Sequence, residues 1–106
     1  NKHNSIMFGK LAEAQKKAEE IKQRLAGVTV QGQAASGDVT ITMDGNKKVK
    51  DVKIETALML PERKEELQDY LCLAIEDAIN KAEMVSASEM KSLMGMMPGL
   101  GNLFGK

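Results

Sequence analysis

Residues 28–54 read Val28-Thr29-Val30-Gln31-Gly32-Gln33-Ala34-Ala35-Ser36-Gly37-Asp38-Val39-Thr40-Ile41-Thr42-Met43-Asp44-Gly45-Asn46-Lys47-Lys48-Val49-Lys50-Asp51-Val52-Lys53-Ile54, and their period decides the fold. Val28, Val30, Gly32 and Ala34 alternate with Thr29, Gln31 and Gln33, the two-residue repeat of a strand with one buried face. Ala35-Ser36-Gly37 supplies a turn. Val39, Ile41 and Met43 then alternate with Thr40 and Thr42 in a second strand rich in β-branched residues. Asp44-Gly45-Asn46 reads as a hairpin turn, because Gly and Asn tolerate positive φ. In the third strand the phase breaks, with Val49 on one face and Val52 and Ile54 on the other. One extra residue near Lys50-Asp51, a β-bulge, returns all three to the core side. The stretch therefore predicts a three-stranded antiparallel meander with two exposed edges, and exposed edges invite pairing with another chain.

On both sides of this stretch the period becomes helical. Upstream, Met7, Leu11, Ala14, Ala18, Ile21 and Leu25 form a heptad-like seam. Beside it run Lys10, Glu13, Lys17, Glu20 and Arg24, with Glu13→Lys17 and Glu20→Arg24 in the favourable i,i+4 order. Gly27 is expected to close this helix in the left-handed conformation. Downstream, Thr56 to Leu60 is a connector and Pro61 suits a first helical turn. Glu62, Glu65 and Glu66 place negative charge where the helix dipole favours it. Leu67, Leu71, Ala74, Ala78, Ala82 and Val85 mark the buried seam, widened by Tyr70, Ile75 and Ile79, and this second helix is expected to reach about Met94. The fold class is α+β: long helix, three-stranded antiparallel meander, long helix (α-β-β-β-α), dimerising through the sheet. Residues 1–6 are expected to be a disordered or non-native extension, 7–94 a single domain, and 95–106 a Gly/Met-rich C-terminal tail without regular structure.

A chain of 106 residues is one domain whose lone core would be marginal, and aromatics are scarce: Phe8, Tyr70 and Phe104, with no Trp. Two long apolar stripes need a second surface, and a second copy of the chain supplies it. The net charge is zero but unevenly spread, +3 over residues 1–27, zero over 28–60 and −3 over 61–106. Catalytic chemistry is missing. The single histidine, His3, lies in the expected extension, no Gly-rich phosphate loop precedes a helix, and the adjacent pairs Glu65-Glu66 and Glu76-Asp77 diverge by about 100° on a helix. We expect no enzyme activity, no metal, no cofactor and no small-molecule substrate. Cys72 lies in the run Leu71-Cys72-Leu73-Ala74-Ile75 and is expected to be a buried, inert core residue. No stretch approaches the ~18 apolar residues of a membrane span, nor is there a signal-peptide core, so a cytoplasmic protein with no membrane partner is expected.

Two ordered sets of residues resemble the YbaB/EbfC family of bacterial nucleoid-associated DNA-binding proteins. One is Met7-Phe8-Gly9-Lys10 running into an amphipathic helix that contains Ala14-Gln15. The other is the series Val30, Gly32, Ala34, Gly37, Val39, Ile41, Met43, Gly45, Val49, Val52 and Ile54, continued by Glu65-Glu66-Leu67, by Ala74 and Ala78, and by the Gly/Met/Pro/Phe ending. Asp44, Ser36 and Glu76 depart from the residues usual in that family. The resemblance implies a tweezer-like homodimer paired through the sheet, binding to double-stranded DNA with low sequence preference, a location in the nucleoid, and effects on gene expression or nucleoid organisation.

Phosphate binding draws on Lys and Arg. The candidates are Lys10, Lys16, Lys17, Lys22 and Arg24 on the first helix and Lys47, Lys48, Lys50 and Lys53 around the second hairpin. With few aromatics to stack bases, reading of single strands is not expected. The alternative is a dimeric protein-interaction module gripping a partner through its helices, which the acidic second helix and Met90, Met94, Met96 and Met97 would suit.

Overall fold

The computed structural model describes residues 2–96, with side chains over residues 8–95. Five elements follow one another: α1 (Lys2–Ala26), β1 (Thr29–Ala34), β2 (Val39–Asp44), β3 (Val49–Ile54) and α2 (Lys64–Met96). The sheet is antiparallel in the order β1-β2-β3. In the β2–β3 ladder Met43 faces Val49 while Thr42 faces Asp51, so Lys50 is the extra residue. This is the expected bulge, and it keeps Val49, Val52 and Ile54 opposite Met43, Ile41 and Val39.

α2 lies across the face formed by β1 and β2. Val39, Ile41, Met43, Leu58, Ala74, Ala78 and Ala82 make the buried core, with Val30, Ala34, Ile54, Leu67, Tyr70, Leu71 and Ile79 packed around it. The contact strip on α2 is narrow, three alanines spaced four apart, because methyl side chains let the helix backbone come down onto Gly32. A Cβ at Gly32 would collide with the Ala74 carbonyl oxygen and the Ala78 amide nitrogen.

That narrow strip overturns several expectations. Cys72 is exposed rather than buried, because it sits two residues and about 200° around the helix from Ala74. Leu73 and Ile75 are exposed for the same reason. Val49 and Val52 lie on the core side of the sheet yet are 51% and 48% exposed, since α2 does not extend over β3. Among the described side chains of α1, Ile21 and Leu25 are buried while Leu11 and Ala18 of the expected seam are exposed, so that part of the seam is left uncovered within the chain. The helix projects instead. The radius of gyration is 19.8 Å, against about 13 Å for a compact chain of this size.

The boundaries also move. α1 already includes Lys2, so the backbone of residues 2–6 is helical rather than disordered; Asn1 lies outside the described residues. α2 runs on to Met96, through Gly95, and residues 97–106 of the expected tail lie outside the described residues. Gly27 does not take a positive φ, and neither do Gly45 and Asn46; in the second hairpin Lys47 does, at 69°. The last turn of α1 closes by Gly27 N–H to the Arg24 carbonyl and Val28 N–H to the Leu25 carbonyl, both at 3.1 Å, and the tip of the β2–β3 hairpin docks on this end. Gly45 N–H donates to the Leu25 carbonyl at 2.9 Å and Asn46 Nδ2 donates to the Lys22 carbonyl at 2.9 Å. Gly45 is glycine for lack of room, since a Cβ there would stand 2.9 Å from the Leu25 carbonyl oxygen.

Candidate nucleic-acid interface

The hairpin tip is held by a buried carboxylate. Asp44 is 2% exposed, and its Oδ1 accepts the Asn46 N–H at 2.8 Å and the Lys48 N–H at 2.9 Å. These bonds fold the chain back on itself and push Lys47 into the left-handed region, which costs a non-glycine residue about 1–2 kcal/mol. Lys47 and Lys48 thus emerge at a rigid tip that is hydrogen-bonded to the backbone of Lys22. Two clusters that are separate in the sequence become one basic junction of Lys22, Lys47 and Lys48, all exposed.

The other candidates are dispersed. Lys10, Lys17 and Arg24 are seven apart and share one flank of α1, with a drift of about 20° per heptad. Lys16 points elsewhere on the helix. Lys50 is the bulge residue, and Lys53 pairs with Thr40 on the sheet face turned away from α2. Lys17 pairs with Glu20 at 3.7 Å, so neither expected i,i+4 bridge of α1 is the one formed. Arg24 reaches Glu89 on α2 at 3.3 Å, and Lys47 reaches Glu83 at 2.9 Å. Among the described residues, no ion pair forms at Lys10, Lys16, Lys22, Lys48, Lys50 or Lys53. Sequence reasoning missed Asn46, Glu83 and Glu89. No local signal marks them, because their partners lie 24, 36 and 65 residues away.

Charged side chains also brace the start of α2. Arg63 donates to Glu66 through Nε at 2.8 Å and Nη2 at 3.0 Å, and through Nη1 to the Ala57 carbonyl at 3.1 Å. Tyr70 adds its hydroxyl to Glu66 at 3.2 Å. The Arg63 hydrogen bond holds the Glu66 carboxyl below the usual carboxylate range, while Glu66 raises the Tyr70 phenol. The connector is thereby tied to the start of α2.

The two sheet edges differ. Gln33 N–H donates to Asp77 Oδ2 at 3.0 Å, Lys81 Nζ donates to the Gln31 carbonyl at 2.8 Å, and Lys81 and Asp77 pair at 3.1 Å. A carbonyl at one residue and an N–H two residues on are the groups a parallel neighbouring strand would bind, so two side chains of α2 close the β1 edge. Asp77 is held below its ordinary pKa, first by the Gln33 N–H and then by Lys81. The latch is therefore charged at neutral pH and is lost as pH falls through that lowered value. Among the described residues no side chain closes the β3 edge in this way. Replacing Asp77 and Lys81 together with alanine should open β1, and size-exclusion chromatography should then show concentration-dependent species larger than the parent's. An elution profile identical to the parent's at every concentration would show that the latch does not guard the edge.

Among the described residues no group of three or more His, Cys, Asp or Glu could hold a metal ion, and no helix is long and apolar enough to cross a membrane.

Comparison with known proteins gives a consistent result. The sequence profile of the YbaB/EbfC DNA-binding family matches residues 1–97. A nucleoid-associated protein of Flavobacterium johnsoniae is 40% identical over 102 residues, covering 92% of this chain and 94% of the relative. A nucleoid-associated protein of Afipia carboxidovorans is 39% identical over 97 residues, covering 90% and 92%. Among solved structures, the uncharacterized protein HP0035 from Helicobacter pylori has the same fold, with a TM-score of 0.74 at 20% identity over 83% of this chain and 92% of that one.

Proposed function

This chain belongs to the YbaB/EbfC DNA-binding family, and from that premise we propose that it is a non-enzymatic homodimer that binds duplex DNA through phosphate contacts with low sequence preference. The observation that carries the reading is the basic junction, where the docked hairpin brings Lys47 and Lys48 to Lys22 at the base of a projecting helix. Ammonium groups on a rigid platform neutralise phosphates and release counterions, and they carry no base information. Pairing of two copies is supported by the open β3 edge and the uncovered Val49 and Val52 beside it. A two-fold axis there presents the junction twice. Such a protein would sit on the nucleoid in the cytoplasm, where it would affect nucleoid organisation and gene expression.

A salt titration of binding to random-sequence duplex, with light scattering of the free protein, tests the whole reading. The expected mass is that of a dimer at micromolar concentration. With two or three contacts per protomer the expected log–log slope is about −4 to −5. A monomer mass rejects the dimer. Failure to bind even at low salt rejects the DNA reading and leaves the module that grips a protein partner.

A further inference from the structure

Two of the nine basic candidates are held across the fold by carboxylates of α2. Lys47 Nζ stands 2.9 Å from Glu83 Oε2, and Arg24 Nη1 stands 3.3 Å from Glu89 Oε2. Neither pair is local: Glu83 reaches back to the hairpin tip and Glu89 to the last turn of α1. Both sit where the basic junction meets the acidic second helix.

We propose that Glu83 acts as an internal counterion that competes with DNA phosphate for Lys47 and so limits both the affinity and the salt dependence of binding. The inference rests on the DNA reading above and names a regulator of that same surface. Its physical basis is the exposure of the pair. The side chains of Lys47 and Glu83 are 45% and 54% exposed, so the ion pair is screened and worth at most about a fivefold preference. A phosphate can displace the carboxylate at that cost. Once displaced, Glu83 remains near the duplex as an unpaired negative charge and opposes the contact. The backbone of Lys47 cannot swing aside to escape it, because the two N–H bonds to Asp44 fix the tip in its strained conformation. Glu89 applies the same restraint to Arg24, but that pair also ties α1 to α2, so Glu83 is the cleaner test.

The experiment compares the parent with Glu83→Gln, Lys47→Gln, the double variant and Glu65→Gln by salt titration on random-sequence duplex. Glu65 gives the same charge change about 27 Å away along α2, several Debye lengths at physiological salt. Glu83→Gln should bind about three- to tenfold tighter at about 0.1 M salt, where the Debye length is about 10 Å, with a slope steeper by up to about 1.8 for two freed lysines per dimer. Glu65→Gln should match the parent. The gain should vanish when Lys47 is also replaced, since the two residues then have nothing to couple. Melting temperatures close to the parent's show that the variants are folded. Glu83→Gln binding like a DNA-binding parent, or a gain that persists without Lys47, overturns the counterion role and leaves the DNA reading standing. A parent that does not bind at low salt overturns both.

Discussion

Gly32→Ala should cost the protein most of its stability, more than about 4 kcal/mol, although it adds a single methyl group in a strand. The methyl would point into the backbone of α2. The Ala74 carbonyl oxygen and Ala78 amide nitrogen occupy its position, and Ala78 Cβ is 2.7 Å away. Main-chain atoms in the middle of a helix have no rotamer to change, so α2 must rise off the sheet. Lifting it opens the contacts of Ala74, Ala78 and Ala82 with Val39, Ile41 and Met43 together, which is nearly the entire core. The Asp77 and Lys81 bonds to the β1 edge would lengthen with it. A domain of this size loses about 4–8 °C of melting temperature per kcal/mol, so the melt should fall by at least about 16 °C or lose its cooperativity. Thermal unfolding followed by circular dichroism reads this directly. A variant melting within a few degrees of the parent would mean that the helix does not approach β1 so closely.

Replacing Lys22, Lys47 and Lys48 together with Gln should lower duplex affinity at least about thirtyfold at low salt and flatten the salt slope by up to about 5, six contacts per dimer being removed. The loss should be equal on all duplex sequences, because phosphate contacts position the protein without reading bases. Helix propensity barely differs between Lys and Gln, and the hairpin tip is held by Asp44 rather than by the lysines, so fold and assembly should persist. Lys53→Gln, on the far face of the sheet, should have a much smaller effect. If the triple variant binds as tightly as the parent with the same slope, the phosphates lie elsewhere, and Lys10, Lys16 and Lys17 along the projecting helix become the next surface to test.

Much of the fold was legible in the order of residues. The two-residue alternation from Thr29 to Met43, the heptad-like run ending in Leu25 and the Ala74-Ala78-Ala82 spacing are local patterns that one strand or helix expresses by its own geometry. The bulge at Lys50 was legible too, because a phase slip between Val49 and Val52 has one simple remedy. The site was only half legible. Lysine-rich segments could be named, but a lysine's usefulness depends on what stands opposite it, and Glu83 and Glu89 stand opposite only after folding. Cys72 was misread for a related reason. An apolar run marks a helix that buries something, while the side that buries it depends on how far the partner surface extends.

The sequence alone therefore determined the element order, the faces of the strands with the bulge, the sheet-and-helix class and the family resemblance, since each depends on periodicity within a few residues. Tertiary structure alone decided the rest. The methyl-wide strip that brings α2 onto Gly32, the hairpin cap on α1, the closure of β1 by Asp77 and Lys81, and the meeting of Lys22 with Lys47 and Lys48 all join residues 20 or more positions apart. No local pattern encodes such meetings. They are set by how closely two backbones can approach, and here that distance is set by a glycine facing a row of alanines.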